Sequence, residues 1–98
     1  MDGVLWYVLT GTSGGRNRHR LLCALKERPR NANQLAAALD LDYTTVRHHL
    51  SVLVDHDLLT KTGDSYGVIY QLSPSVRKNW DVVEQIEQGY PDPPLSSS

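Results

Sequence analysis

The sequence predicts a mainly α-helical domain closed by a small β-hairpin. Three observations lead there. Apolar residues recur at helical spacing through most of the 98 residues. Between Leu58 and Leu72 the period falls to about two residues, and the glycines of GDSYG sit in the middle of that stretch. Two short helical segments are separated by only three residues, Asp40-Leu41-Asp42.

Each element follows from local chemistry. Val4–Leu9, VLWYVL, is a short apolar segment, helix or strand. It runs into GTSGG, Gly11–Gly15, which reads as a hinge; no lysine follows in the phosphate-loop pattern G-x-x-x-x-G-K-[ST]. In RNRHRLLCALKERP, Leu21, Leu22 and Leu25 share one helical face and Pro29 ends the helix, giving residues 16–28. Asn33 is a candidate N-cap for QLAAAL, a helix over 34–39 with Leu35, Ala36 and Leu39 inward. After the turn at 40–42, Asp42 caps a helix over 43–56. Val46, His49, Leu50, Val52, Leu53 and His56 occupy one arc of it, and Tyr43, Thr44, Arg47, His48 and Ser51 the other.

Residues 58–62 and 68–72 then read as strands, and Ser73-Pro74 opens a helix over 74–89 with the stripe Val76, Trp80, Val83, Ile86. The tail YPDPPLSSS reads as disordered. Two short helices with a tight turn, followed by a hairpin, make a winged helix-turn-helix. The expected organisation is an apolar segment and hinge (1–15), a winged helix (16–73), a dimerisation helix (74–89) and a tail (90–98).

The totals narrow the function classes. A domain this size buries roughly 60–65% of its unfolded surface, so association with a second copy would help it. No apolar run approaches the roughly 18 residues of a membrane span, and VLWYVL is too short for a signal peptide, so a cytoplasmic protein is expected. One cysteine excludes an internal disulfide and a four-cysteine zinc site. The net charge of −1 hides an asymmetry: Arg16–Arg30 holds six basic residues and one acid, and the rest holds four basic and ten acidic residues. That predicts one basic surface, the footprint of a phosphate-binding protein. No nucleophile–base–orienter set appears, so catalysis is not expected.

At this point a resemblance enters. NQLAAALDLDYTTVRHHLSVLVDHDLLTKTGDSYGVIYQL, Asn33 to Leu72, resembles the winged-helix core of ArsR-type transcriptional regulators, and the chain is similar to small one-domain archaeal members of that group. The pattern L-A-x-x-L-G-L-S-x-x-T-V-S-x-H-L-x-x-L is met by Leu35, Ala36, Leu39, Leu41, Thr45, Val46, His49, Leu50 and Leu53. Asp40 and Asp57 stand where the family often has glycine, so both are expected in the left-handed backbone region. The family's metal sensors carry cysteines in this helix or histidines near the C-terminus. Neither feature is present, so no metal or cofactor is carried over.

His48 and His49 are adjacent and diverge by about 100° on a helix, so they cannot share one ion. His49 is expected to be structural, bonding to backbone, with His56 alike; His48 faces outward. Arg47 is the sharpest candidate, as a bidentate reader of guanine. Tyr43 and Thr44 can reach phosphates or base edges, and Ser51 lies on the same face. Arg16, Arg18, Arg28, Arg30 and Asn33 are candidate backbone contacts; Lys61, Ser65 and Tyr66 in the hairpin are candidates for the minor groove or its phosphates, with Asp64 opposing them. His19 and Cys23 have a metal half-site spacing that a second copy would have to complete. Leu5, Trp6, Leu9, Val76, Trp80, Val83 and Ile86 make more apolar surface than the small core covers and are expected at a twofold dimer interface.

The resulting expectation is a homodimeric, sequence-specific DNA-binding transcriptional regulator. Its partners are double-stranded DNA and a second copy of itself, and its effector is not specified by the sequence. The rivals are a winged helix used for protein–protein contact, favoured by Asp40, Asp42, Asp55 and Asp57 around the third helix, and an RNA-binding winged helix.

Overall fold

The computed structural model describes residues 2–11, 13–64 and 67–90. Among the described residues six helices and three strands follow in the order α1 (Asp2–Thr10), α2 (Gly15–Glu27), β1 (Arg30–Asn31), α3 (Ala32–Leu39), α4 (Tyr43–Asp55), β2 (Leu59–Asp64), β3 (Gly67–Leu72), α5 (Pro74–Lys78) and α6 (Trp80–Gly89). This is a winged helix-turn-helix, as expected. The apolar segment at the N-terminus is helical. It buries Leu5, Val8 and Leu9 against α2 and α6.

Helix α2 is the hub. Its apolar face, Leu21, Leu22 and Leu25, is fully buried, and the helix packs against α1, α3, α4 and β3. Leu35 from α3, Val46, Leu50 and Leu53 from α4, and Val76, Val83 and Ile86 from the C-terminal helices complete one core. Burying a leucine of this kind contributes about 2–3 kcal/mol.

The caps refine the helix starts. Asn31, not Asn33, caps α3: its side chain accepts from the Gln34 amide at 2.8 Å, and the Gln34 side chain accepts from the Asn31 amide at 2.8 Å. This reciprocal box starts the helix two residues early and leaves Asn33 exposed in its first turn. Asp42 caps α4 by accepting from the Thr45 amide at 3.2 Å. Asp40 and Asp57 adopt φ of 55° and 60°, the left-handed region that the sequence anticipated for them. At Asp40 the chain closes α3 as Leu41 N–H donates to the Ala36 carbonyl at 3.0 Å.

Two elements depart from expectation. The two-residue strand β1 pairs with β3, Arg30 opposite Tyr70 and Asn31 opposite Ile69, giving a three-stranded antiparallel sheet in the order β1-β3-β2. Such a short strand has no periodicity to detect. The single helix expected over 74–89 is broken at Asn79, whose side chain donates to the Ser75 carbonyl at 2.8 Å and competes with the helical ladder.

The hairpin is longer than expected, because β2 and β3 extend into GDSYG. Gly63 has φ 117°, and a Cβ there would fall 2.0 Å from the Gly67 carbonyl oxygen, so only glycine fits. Ser65, Tyr66 and the tail beyond Tyr90 lie outside the described residues. Tyr90 itself, read from sequence as the first residue of the tail, is anchored: its hydroxyl donates to the Leu9 carbonyl at 2.6 Å. No helix among the described residues is long and apolar enough to cross a membrane.

Candidate nucleic-acid interface

Helix α4 has two faces because its apolar residues repeat every three to four positions. Val46, His49, Leu50 and Leu53 are buried, whereas Tyr43, Thr44, Arg47, His48 and Ser51 are exposed. The tight turn and the Asp40 conformation set α3 across one side of α4, and β2 packs against the same helix. The outward face therefore stands between α3 and the hairpin.

Arg47 and Tyr43 form a local pair one turn apart. Arg47 Nη1 donates to the Tyr43 hydroxyl at 3.1 Å, and the guanidinium lies 5.8 Å from the Tyr43 ring centroid. The Tyr43 bond and ring stabilise the charged form and push the Arg47 pKa up. Together with Tyr43, Lys61 and Tyr70, Arg47 lines a groove of about 270 Å³ whose far wall is Asn31, Ala32 and Asn33 at the start of α3. The groove continues along Ser51, Val54 and Asp55. Lys61 stands directly opposite Tyr70 in the sheet register. Neither Arg47 nor Lys61 has a carboxylate within ion-pair distance among the described residues.

The basic stretch Arg16–Arg30 does not form one surface. Arg18 is 6% exposed; its Nε donates to His49 Nδ1 at 3.2 Å and its Nη1 to the Val8 carbonyl at 3.3 Å. Arg20 donates to the Leu39 carbonyl at 2.8 Å, tying α2 to α3. Arg30 donates to the Ala24 carbonyl at 3.3 Å and pairs with Glu27 at 2.7 Å. Arg16 lies 5.1 Å over the Tyr90 ring and Lys26 5.1 Å over the Trp80 ring. Alternation along a helix distributed these side chains around its circumference, and several became ties within the chain. Sequence spacing carries no signal for the ties of Arg18 and Arg20, because His49 and Leu39 lie 31 and 19 positions away.

The histidines sort as structural inside and exposed outside, with one correction. His49 is 6% exposed, but it accepts from Arg18 rather than bonding to backbone. Burial first, then the Arg18 and His48 charges, push its pKa down, so it is held neutral with an unprotonated Nδ1. The exposed His48 ring lies 5.5 Å from that of His49. His56 Nδ1 meets the Val52 carbonyl at 2.9 Å.

His19 is buried, with Nε2 3.1 Å from the Val83 carbonyl and Nδ1 3.6 Å from Cys23 Sγ. Burial and then Glu87, Glu84 and Glu27 push the Cys23 thiol up, away from the reactive thiolate. Among the described residues no group of three His, Cys, Asp or Glu is placed to hold a metal ion.

The glycines of GTSGG pack tightly where the sequence suggested a hinge. A Cβ on Gly15 would fall 2.0 Å from the Leu9 carbonyl oxygen, and one on Gly14 2.4 Å from His49 Cε1. The expected dimer surface is also corrected. Leu5, Leu9, Val76, Val83 and Ile86 are fully buried inside one chain, because α1, α5 and α6 complete its core. Trp80 is half-buried. Trp6 at 39% and Tyr7 at 58% are exposed on α1.

Residues 16–61 match the family model described as "Bacterial regulatory protein, arsR family". No curated protein sequence matches the chain. Solved structures share the fold at low identity. The transcriptional regulator HlyU from Vibrio vulnificus superposes at TM-score 0.67 with 21% identity over 92% of this chain and 88% of its own. BldR from Sulfolobus solfataricus, also a transcriptional regulator, gives 0.71 and 19% over 90% of this chain and 64% of its own. The homodimeric winged helix-turn-helix DNA-binding domain of Mb0332 from Mycobacterium bovis gives 0.71 and 15% over 93% and 82%. The stretch from α2 through α4 into β2 thus matches the arsR-family model, and the fold as a whole is the winged helix-turn-helix that these solved structures share.

Proposed function

We propose that the chain is a cytoplasmic, homodimeric, sequence-specific transcriptional regulator that lays α4 in the major groove of double-stranded DNA. The observation that carries this reading is the exposed polar face of α4, Thr44, Arg47, His48 and Ser51, continuous with the cationic groove that runs to Lys61 on the hairpin. An α-helix fits the major groove, and side chains near its N-terminus reach the base edges. Tyr43, Thr44 and His48 are in that position. Asn33, exposed in the first turn of α3, is a backbone contact, and Arg30 contributes its charge beside it.

The second copy docks on α1. Trp6 and Tyr7 are adjacent and exposed there, with Val4 one turn before Tyr7, on a helix already braced by α2 and α6. The homodimeric state of the Mb0332 domain supports a homodimer. A twofold pairing sets two copies of α4 about 34 Å apart, one turn of DNA.

Fluorescence anisotropy tests the DNA reading. The probes are a duplex from immediately upstream of the protein's own coding sequence and a scrambled duplex of equal composition, each across a salt series. The expected outcome is tighter binding to the first and an affinity that falls steeply with log salt. Absence of binding to both at moderate salt would turn the polar face of α4 into a candidate protein-docking face. Light scattering tests the dimer: twice the chain mass is expected for the wild type and a monomer for Trp6→Glu/Tyr7→Glu.

A further inference from the structure

We propose that Arg47 and Lys61 act together as a clamp on a single phosphodiester of the DNA backbone, with Tyr43 as the residue that positions Arg47. The assignment rests on the DNA-binding reading above and changes what its central arginine does. Arg47 becomes a source of affinity, and the reading of bases passes to Thr44, His48 and Ser51 on the outward face.

Three observations lead to it. First, the guanidinium is turned sideways. It bonds the hydroxyl and lies over the ring of Tyr43, one turn back along α4, and lines the groove that Lys61, Val68 and Tyr70 of the hairpin also line. The bond to Tyr43 takes one of the two Nη1 hydrogens and leaves the other four donors of the guanidinium for an oxyanion in the groove. Second, Lys61 lines the same groove from β2, and neither cation has a carboxylate within ion-pair distance among the described residues. Two like charges in one groove repel, and an anion between them relieves the repulsion.

Third, the groove offers donors of the kind an oxyanion accepts. The Tyr43 hydroxyl accepts from Arg47 and keeps its own proton to donate. Ala32 and Asn33 put the positive end of α3 on the far wall. A phosphodiester has one negative charge and two free oxygens, which matches a guanidinium, an ammonium and a hydroxyl. Among the described residues Asp55 is the acid that lines the continuation of the groove, where Arg47, Ser51, Val54 and Lys61 also stand. Its charge repels a phosphate there and favours the Tyr43 end.

The test is anisotropy with the upstream and scrambled duplexes, using wild type, Arg47→Ala, Lys61→Ala and the double variant. Both side chains are exposed, so thermal melts should coincide. Each single variant is expected to weaken binding to both duplexes by the same factor, about three- to tenfold, and to leave the preference intact. The double variant is expected to lose little more than the worse single one. A second measurement replaces one phosphate at a time by uncharged methylphosphonate. Wild type should be weakened at one shared position per half-site, and both variants should be insensitive there.

Loss of preference in Arg47→Ala with no effect of Lys61→Ala would overturn the clamp and make Arg47 a base reader. Fully additive losses, or sensitivity at different phosphates, would also overturn it by separating the two contacts. Failure of the wild type to bind either duplex would remove the DNA-binding reading itself, and the clamp with it.

Discussion

Arg18 with His49 and Arg47 with His48 are the same two residue types on opposite sides of one helix. The inner pair is buried, bonded at 3.2 Å, and links α2 to α4 while Arg18 also reaches the Val8 carbonyl of α1. The outer pair is exposed, and Arg47 is held only by its helical neighbour Tyr43. The difference teaches that residue type does not decide between structure and binding here. The number of elements packed around the side chain decides it. Three elements converge on Arg18 and His49, and dehydration makes their hydrogen bonds costly to lose. Arg47 stays in water, so its charge remains available to a partner.

The inner side should break hardest. Gly15→Ala drives a Cβ to within 2.0 Å of the Leu9 carbonyl oxygen, where backbone must move. We expect a loss of about 3 kcal/mol in urea unfolding, near the upper end for overpacking. An unchanged midpoint would mean that the α1–α2 junction gives way easily.

Next in size is the contrast between the two arginines. Arg18→Ala leaves His49 Nδ1 and the Val8 carbonyl without this donor, at a cost of about 2 kcal/mol. Arg47→Ala should change stability by less than about 0.5 kcal/mol. Equal melting temperatures for the two variants would erase the comparison.

The gentlest perturbation is pH. The His49 pKa is lowered by burial, Arg18 and His48 from the ordinary value of 6.5, so the unfolded chain binds a proton that the folded chain resists. The contribution of His49 to stability is therefore complete above 6.5 and declines as the pH falls below it. His49→Gln keeps an acceptor for Arg18 and should flatten that slope in melts between neutral and mildly acid pH. A slope unchanged by the substitution would assign it to another group.

Local chemistry made much of this readable in advance. Asp42 and Ser73 were recognisable as caps because each lies three residues before the amide it accepts from. The two faces of α4 were recognisable because 3.6-residue periodicity needs no tertiary information. The left-handed Asp40 and Asp57 stand where the resembled family often has glycine, and aspartate tolerates that conformation better than most residues. Asn31 was missed as a cap because Asn33 is an equally good one, and only the returning Gln34 side chain selects between them. The dimer stripe was misjudged for a different reason. Apolar character says that Leu5, Leu9, Val83 and Ile86 are to be covered, but not whether by this chain or by another.

By itself, then, the sequence determined α2, α3 and α4, the hairpin, their order and the polar outer face of α4, since propensity, capping and periodicity act over a few residues. Only the tertiary structure decided which arginine is a tie and which is a free cation, which of two adjacent histidines is held neutral, and that Lys61 stands with Arg47. Those outcomes depend on groups 14 to 31 positions apart being brought within a few ångströms and shielded from water, which no local pattern encodes.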